Sequence, residues 1–268
     1  MSDFPYSAHI GYLFNDRPLR ERIAAAKRHG FAAIEHPSPY AVPATEMAQW
    51  LREEDLPYTQ FGLHSGDAQK GEKGIGIFPE RREEFRRSVA DGLAYAETVS
   101  ATMVHAMAGV LPVASRRQEH WDCYVENLGY AAGEAGKRGI TIILEAMSTS
   151  AVPHYFVETP DRAAAAISEA GGAHLGLLLD IFHTANMDLD IAETIRSHAQ
   201  LIRHVHIADF PGRHEPGSGT LDFGLIGRTL ADVGYAGRLG CEYVPAGRTE
   251  DGLGWLARRL ASTAGPID

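Results

Sequence analysis

Residues 140–145 read ITIILE and residues 175–180 read LGLLLD, and these two segments decide the fold class. Both are apolar at consecutive positions instead of alternating ones, which is typical of a parallel β-strand that is covered on both faces. A sheet built from such strands lies inside the molecule, with helices packed around it. The sequence therefore predicts an α/β protein.

The same rhythm, a short apolar run followed by a segment with helical periodicity, continues along the chain and indicates βα units. One helix is clearly delimited. Thr159 is a candidate N-cap, Pro160 suits the first helical position and Gly171 suits the left-handed position after the last turn. Eight strands are predicted, at Ala8–Phe14, Ala32–Glu35, Tyr58–His64, Thr102–Ala106, Ile140–Glu145, Leu175–Asp180, Ile202–Ala208 and Arg238–Glu242.

Eight βα units in about 250 residues match the size of a (β/α)8 barrel. A doubly wound sheet is less well supported, because the first turn, Tyr12–Arg17, lacks the glycine-rich phosphate-binding pattern. No segment rich in proline, glycine or serine divides the chain, so we predict one barrel domain over residues 1–268. The irregular segment Ser65–Phe78 is expected to form a long loop after the third strand, on the face where barrel active sites lie.

The composition excludes several classes of protein. The net charge of -10, from 25 basic and 35 acidic residues, opposes binding to a nucleic acid backbone. The apolar runs are far shorter than the roughly 18 residues that a membrane helix needs. Two cysteines, Cys123 and Cys241, support neither a disulfide framework nor a thiolate zinc site. The first residues do not resemble a secretory signal, so we expect a cytoplasmic protein, and barrels of this size often pair, so we expect a homo-oligomer.

The last four predicted strands each end on or near a side chain that can bind a metal. These side chains are Glu145, Asp180, His206 and Glu242, and the intervals between them are each about one βα unit long. Four successive strands would thus direct their ligands to a common point. Carboxylates buried at strand ends are costly without a partner, so the arrangement predicts a divalent cation. Three carboxylates and one imidazole suit Mn²⁺ or Mg²⁺, and the histidine also admits Co²⁺ or Zn²⁺.

Such a site suggests a reaction at a carbon atom next to a carbonyl group. An ion that holds the carbonyl and a neighbouring hydroxyl acidifies the C–H bond between them and stabilises the enediolate. Glu145 and Glu242 are the candidate acid and base, one taking a proton from one carbon and the other returning a proton to the neighbouring carbon. The outcome is an aldose–ketose type isomerisation, or an epimerisation if the proton returns to the carbon that it left.

Two further side chains are candidates for binding a substrate. His183 follows Asp180 by three residues, within reach of a ligand at the metal, although a solvent-exposed histidine at a helix start is an equal alternative. Arg213 lies in a glycine-rich loop after the seventh strand, where its guanidinium could hold a substrate carboxylate by a two-pronged contact or simply face solvent.

Other polar residues at strand ends are ambiguous between the pocket and the core. His64 and His105, at the ends of the third and fourth strands, could line the pocket or have core or capping roles. Glu35 ends the second strand in FAAIEH and is similarly ambiguous. His204 shares a strand face with His206, but it is the better candidate for a core histidine because only His206 lies at the end of the strand.

Several segments together resemble the hydroxypyruvate isomerase family of the xylose isomerase-like TIM barrels. The most specific is HVHIADFPGRHEPGSG, residues 204–219, supported by KGIGIFPERREEFRRSVADGLAYA, MVHAMAGV, LLLDIFH and GCEYVPAGRTEDGLGWL. The resemblance runs through almost the whole chain. It implies interconversion of hydroxypyruvate and tartronate semialdehyde, a metal held by Glu145, Asp180, His206 and Glu242, and the two glutamates as proton donor and acceptor.

Two departures from that family leave related activities open. His206 stands in HVHIAD where hydroxypyruvate isomerases tend to have HIQIAD, and histidine there is similar to the ketose 3-epimerases of the superfamily. The segment EAMSTSAVPHYF, after the fifth strand, also differs from the family's usual run. The 2-oxo-tetronate isomerases resemble the chain as strongly, so a four-carbon acid or a sugar is an alternative substrate.

Three more distant functions are alternatives for a barrel with these residues. An inosose dehydratase-like enzyme would use the same four ligands. An AP endonuclease of this barrel class would need several metals and a basic groove for DNA, which the charge of -10 opposes. A non-catalytic sugar-binding barrel is the alternative outside the enzymes.

Overall fold

The computed structural model describes residues 4–263, with the side chains of residues 4–260. Its eight parallel strands form a closed barrel in sequence order, in which β1 pairs with both β2 and β8. This confirms the predicted (β/α)8 fold. The strands are β1 (Tyr6–His9), β2 (Ala33–His36), β3 (Tyr58–Gly62), β4 (Met103–His105), β5 (Thr141–Glu145), β6 (Leu175–Asp180), β7 (Ile202–Ile207) and β8 (Leu239–Cys241).

Helices follow the strands and surround the barrel. Those in the described part of the chain are α1 (Leu19–Arg28), α2 (Ala44–Glu54), α3 (Arg82–Val99), α4 (Gln118–Gly136), α5 (Pro160–Ala170), α6 (Ile181–Asn186), α7 (Ile191–His198), α8 (Phe223–Asp232) and α9 (Gly254–Thr263). Within residues 4–263, none of these helices combines the length and the apolar character needed to cross a bilayer.

The predicted ends of α5 are confirmed by its capping contacts. The Oγ1 atom of Thr159 accepts a hydrogen bond of 3.2 Å from the backbone N–H of Arg162, so Thr159 is the N-cap. Pro160 is the first helical residue, and Gly171 follows the last turn with a φ of +64°. The chain thus leaves β5, crosses the outside of the barrel and returns to β6 over a well-defined helix.

The first strand was predicted too far along the chain. The sequence indicated Ala8–Phe14, whereas β1 is Tyr6–His9. The backbone turns directly after His9, whose carbonyl oxygen accepts hydrogen bonds of 3.0 Å from the N–H groups of both Tyr12 and Leu13. Apolar residues of this turn are buried like those of a strand, and for that reason the apolar pattern alone did not show where the strand stops. The other seven predicted strands each overlap an observed one.

A glycine in β8 allows the barrel to close around bulky side chains. Gly240 is paired with His206 of β7 across the sheet. A Cβ atom at this position would lie 2.5 Å from Oε1 of Glu35 and 2.6 Å from Cδ2 of His206. Only glycine therefore leaves room for the polar side chains that meet at this level of the barrel.

The loop predicted at Ser65–Phe78 lies between β3 and α3. It contains a short 3-10 helix at Ala68–Lys70, and its end is fixed by an antiparallel bridge between Gly74 and Ala108, beyond β4. The N–H of Gly74 also donates a hydrogen bond of 2.8 Å to the carbonyl of Ser65. These contacts hold the loop at Ser65 and at Gly74.

Candidate active site

A cavity of about 380 Å³ opens at the carboxyl-terminal ends of the strands. Six of the residues singled out from the sequence line it: Glu145, His206, Glu242, His105, His183 and Arg213. Asp180 contacts this group through Arg213, with 3.1 Å between its Oδ2 atom and Nη2 of the arginine. The barrel therefore brings together most of the residues that its sequence marked as a site.

The four predicted metal ligands form a compact cluster. Glu145 ends β5, Asp180 ends β6, His206 lies in β7 and Glu242 follows β8 directly. Each offers one ligand atom, and these four atoms all lie within 4.8 Å of one another. Glu145, Asp180 and His206 are buried, and Glu242 is partly buried. Adjacent parallel strands end at the same rim, which is why residues far apart in the sequence converge here.

Glu145 is a carboxyl group in a buried, acidic environment. Burial, together with the negative charges of Glu242 and Asp180, raises its pKa well above the usual value of a glutamate. Its Oε1 atom is buried and has no hydrogen-bond partner among the described residues. The nearest imidazoles are Nε2 of His105 and Nε2 of His183, each 3.9 Å from one of its oxygens. One oxygen of Glu145 is thus available to a ligand in the cavity.

Glu242 lies beside positively charged groups, in contrast to Glu145. Burial opposes its ionisation, but the positive charges of Arg213 and His206 outweigh this effect and hold its pKa well below the usual value. Its Oε2 atom lies 2.5 Å from Nη2 of Arg213 and 3.2 Å from Nδ1 of His206, and its Oε1 atom lies 3.3 Å from Nε2 of His9. Glu242 is therefore an ionised carboxylate facing the same cavity as Glu145.

Arg213 connects two of the carboxylates. Its Nη2 atom donates hydrogen bonds to Oδ2 of Asp180 and to Oε2 of Glu242, and its guanidinium lies 5.6 Å from the ring centroid of Tyr12 and 5.2 Å from that of Phe182. The backbone of Arg213 has a φ of +57°, which is uncommon for a residue other than glycine. Its Nε atom is buried without a hydrogen-bond partner in the described part of the protein.

Behind the cluster, Glu35 is the centre of a buried network. It accepts hydrogen bonds from Nε2 of His206 at 2.8 Å, from Nε2 of His204 at 3.0 Å and from Nε2 of Gln60 at 2.9 Å. An ionised carboxylate only accepts hydrogen bonds, so both histidines carry a proton on Nε2. These direct contacts explain the two residues that the sequence left ambiguous, because Glu35 and His204 form the buried support of His206.

The residues of this cluster fit a divalent cation. The Nδ1 atom of His206, turned toward Glu242, and Oε1 of Glu145 are buried atoms without hydrogen-bond partners among the described residues. Burial lowers the pKa of His206, but the charges of Glu242 and Glu35 raise it well above 6.5, so the surroundings favour positive charge at this point. Oxygen ligands with one imidazole are a donor set that suits Mg²⁺, Mn²⁺ or a similar ion.

His183 is held with one defined nitrogen facing the cavity. The backbone N–H of Ser148 points to Nδ1 of His183 at 3.3 Å, and the Ser148 hydroxyl lies 3.0 Å from the same atom. Burial lowers the pKa of His183, so the ring is neutral and carries its proton on Nε2. That N–H is oriented toward the side of Glu145 and can donate a hydrogen bond to a substrate oxygen.

One sequence-based candidate, His64, lies elsewhere, and four polar residues of the cavity wall were missed. His64 is exposed and is not part of the cavity wall. His9, Tyr12, Gln60 and Lys73 line the cavity but were not singled out. His9 and Tyr12 both fell inside the predicted strand Ala8–Phe14, whereas the observed strand ends at His9. For Lys73 the only signal was its place in the loop expected on the catalytic face.

The chain matches a family model described as xylose isomerase-like TIM barrel over residues 23–259. It is 34% identical to a 2-oxo-tetronate isomerase of Cupriavidus necator, covering 94% of this chain and 96% of that protein. It is 31% identical to a hydroxypyruvate isomerase of Escherichia coli K12, covering 94% and 97%. A crystal structure named as an AP endonuclease, family 2, from Brucella melitensis superposes with a TM-score of 0.93 at 33% identity, covering 95% and 98%.

These similarities extend over nearly the full length of each chain, and the two curated relatives are isomerases. They confirm the resemblance drawn from the motifs and the expectation of an isomerase. Together with the closed eight-stranded barrel, the match over residues 23–259 shows that this chain belongs to the family of xylose isomerase-like TIM barrels.

Proposed function

We propose that the protein is a metal-dependent isomerase of a small hydroxy-keto acid, interconverting hydroxypyruvate and tartronate semialdehyde. The observation that carries this proposal is the cluster of Glu145, Asp180, His206 and Glu242, whose ligand atoms lie within 4.8 Å of one another and whose two glutamates both line one cavity. Two carboxyl groups on the wall of one cavity, next to a bound cation, are suited to act as acid and base on a substrate held between them.

The proton transfers follow from these two environments. Glu242, kept ionised beside Arg213, takes a proton from C3 of hydroxypyruvate, and the electron pair of that C–H bond forms the enediolate. Glu145 delivers a proton to C2, and the remaining hydroxyl proton moves from the oxygen on C3 to the oxygen on C2. The overall change relocates two hydrogens within the substrate and needs no oxidant.

Glu145, Asp180, His206 and Glu242 would hold a divalent cation, with Mg²⁺ or Mn²⁺ preferred and Co²⁺ or Zn²⁺ also compatible with the ligand set. When bound, such an ion supplies Lewis-acid stabilisation of the negative charge that develops on the substrate oxygens. His183 donates from Nε2 to a substrate oxygen, Arg213 keeps Glu242 ionised and offers its Nε–H, and His105 contributes a neutral wall, since burial lowers its pKa to about 3.

A second candidate is the isomerisation of a 2-oxo-tetronate, a four-carbon acid that undergoes the same proton shift. It is favoured by the 34% identity to an enzyme of that name. The net charge of -10 opposes binding of DNA and therefore argues against an AP endonuclease activity, which is the name given to the Brucella melitensis structure.

The test is turnover of hydroxypyruvate by metal-stripped protein that has been resupplied with Mg²⁺ or Mn²⁺, with tartronate semialdehyde measured by a coupled reductase. A 2-oxo-tetronate is assayed in parallel. Glu242→Gln should reduce kcat by about 100-fold or more, the range of a lost acid–base group, whereas the exposed control Glu83→Gln should behave like the wild type. Folded protein that turns over neither acid with either metal would contradict the proposal.

A further inference from the structure

Two basic side chains, Lys73 and Arg213, line the cavity. They differ in their partners. Arg213 is bonded to Asp180 and Glu242, so its charge is balanced by the protein itself. Lys73 has no ion-pair or hydrogen-bond partner among the described side chains. The cavity therefore contains one cation whose charge is left for a ligand.

The neighbouring acidic residue cannot neutralise this lysine, because it is already engaged. Oε1 of Glu72 accepts a hydrogen bond of 2.9 Å from Nη1 of Arg81, and its Oε2 accepts one of 2.7 Å from the backbone N–H of Asp67. These contacts turn the carboxylate back into its own loop. The sequence neighbours of Lys73 thus hold the loop together and leave the ammonium group free.

The backbone that carries Lys73 is fixed from both sides. Next to it, Gly74 forms the bridge to Ala108 and donates its N–H to Ser65. Gly74 has a φ of +105°, and a Cβ atom there would lie 2.1 Å from the carbonyl oxygen of Met107. The loop therefore presses directly against the segment after β4, so the position of Lys73 over the cavity is set by close backbone packing.

From these observations we infer that Lys73 binds the carboxylate of the substrate and selects small acids over neutral sugars. The inference rests on the proposed function and assigns to Lys73 the carboxylate contact that the sequence suggested for Arg213. A substrate acid entering this cavity meets the carboxylates Glu145 and Glu242, so it needs a cation at the other end of the molecule. A neutral ketose has no group that would require one.

Binding of glycerate measures this role without turnover, because glycerate has the carboxylate and two hydroxyls but no carbonyl to isomerise. Its dissociation constant is determined by calorimetry on Mg²⁺-loaded wild type, Lys73→Met, Lys73→Arg and the control Lys70→Met. Lys70 belongs to the same loop, is exposed and pairs with Asp67 outside the cavity. We expect about 10-fold weaker binding for Lys73→Met, at least partial rescue by Lys73→Arg and no change for Lys70→Met.

Kinetics on the same variants separate this inference from the proposed function. Lys73→Met should raise the KM for hydroxypyruvate by about 10-fold with a smaller effect on kcat, and should leave any activity on dihydroxyacetone, a neutral analogue, unchanged. Wild-type turnover combined with equal glycerate affinity in wild type and Lys73→Met would overturn the role of Lys73 and leave the proposed function standing. Absence of glycerate binding to the wild type would also overturn the role of Lys73. Absence of turnover of any hydroxy-keto acid would overturn the proposed function, while the glycerate measurement still decides whether Lys73 holds a carboxylate.

Discussion

His206 donates a hydrogen bond of 2.8 Å from Nε2 to Oε2 of Glu35, a residue 171 positions earlier in the chain. This contact fixes the ring so that Nδ1 is directed toward Glu242, 3.2 Å away. A carboxylate behind a metal-binding histidine sets its tautomer and orientation, and increases its basicity. Glu35 therefore acts on the proposed metal site through His206.

Glu35→Gln should weaken metal binding without unfolding the barrel. The amide keeps the shape of the side chain but lacks the negative charge that holds His206 and His204. We expect the dissociation constant for Mn²⁺ to rise by about 10- to 100-fold. The measurement is a titration of metal-stripped protein with Mn²⁺ by calorimetry, with the exposed variant Glu53→Gln as control and circular dichroism to verify folding. Unchanged affinity in Glu35→Gln would show that Glu35 is only a core residue.

Ser148→Ala should lower the activity through its effect on His183. The mutation removes the hydroxyl that lies 3.0 Å from Nδ1, so the ring is less firmly held with its Nε2–H in the cavity. The loss of one ordinary hydrogen bond predicts a decrease in kcat of about 3- to 10-fold with unchanged metal affinity.

Ser150→Ala is the matched control for this experiment. Both serine hydroxyls accept a hydrogen bond of 2.8 Å from Nδ2 of Asn186, but only Ser148 reaches His183. Equal kcat values in the two variants would mean that the contact between Ser148 and His183 has no part in catalysis.

Gly74→Ala should displace the loop that carries Lys73. The new methyl group would collide with the carbonyl oxygen of Met107, and alanine disfavours the left-handed φ. We expect a lower melting temperature and a higher KM for the acid substrate.

Gly71→Ala provides the comparison, because Gly71 also has a positive φ, of +76°, but no atom lies within 4 Å of its added methyl group. The Gly71→Ala variant should have a free energy of unfolding lower by about 1 kcal/mol, because alanine disfavours a left-handed backbone, and its KM should be almost unchanged. If Gly74→Ala resembles Gly71→Ala in both measurements, the tight contact at Met107 does not determine the position of the loop.

The free energy of unfolding should fall with decreasing pH partly because of His36, at the end of β2. Burial, together with the charges of His9 and Arg22, lowers its pKa to about 4 from 6.5. Between pH 6.5 and pH 4 the unfolded chain binds more protons at His36 than the folded chain does. The contribution of neutral His36 to the free energy of unfolding is therefore complete above pH 6.5 and is lost as the pH falls toward 4.

His36→Asn removes this contribution. The measurement is urea unfolding of the metal-free protein at pH 7 and pH 5. From pH 7 to pH 5, the free energy of unfolding of the wild type should fall by about 1–2 kcal/mol more than that of the variant. Equal losses in both proteins would indicate that His36 is protonated just as easily in the folded state.

The barrel and the ligand cluster could be predicted from the sequence because both depend on the order of elements. Continuous apolar strands such as β6 indicate a covered parallel sheet, and a parallel barrel brings the ends of its strands to one rim. Glu145, Asp180, His206 and Glu242 follow from that rule without knowledge of any contact. The same rule suggested His64 as a residue of the pocket, but in the structure its side chain, directly after β3, is exposed to solvent.

The supporting residues could not be predicted in this way, since their roles depend on three-dimensional contacts between distant strands. Glu35 meets His206 only because the barrel closes, and Gly240 makes room for both. The role of Arg213 depends on a backbone with positive φ that directs its guanidinium to Asp180 and Glu242. The limit of β1 was missed because the buried turn after His9 has the same apolar character as a strand.

The residues proposed for the reaction and the residue proposed to select the substrate come from different halves of the barrel, which affects how new activities can arise in such proteins. The two glutamates proposed to transfer protons and the proposed metal ligands all come from β5 to β8 or the residue that follows β8, whereas Lys73 lies in the loop that follows β3. Mutations in that loop can alter which molecules are accepted while the reaction chemistry is inherited intact. Evolution, or a protein engineer, could thus exchange an acid for a neutral sugar by replacing one surface segment of the barrel.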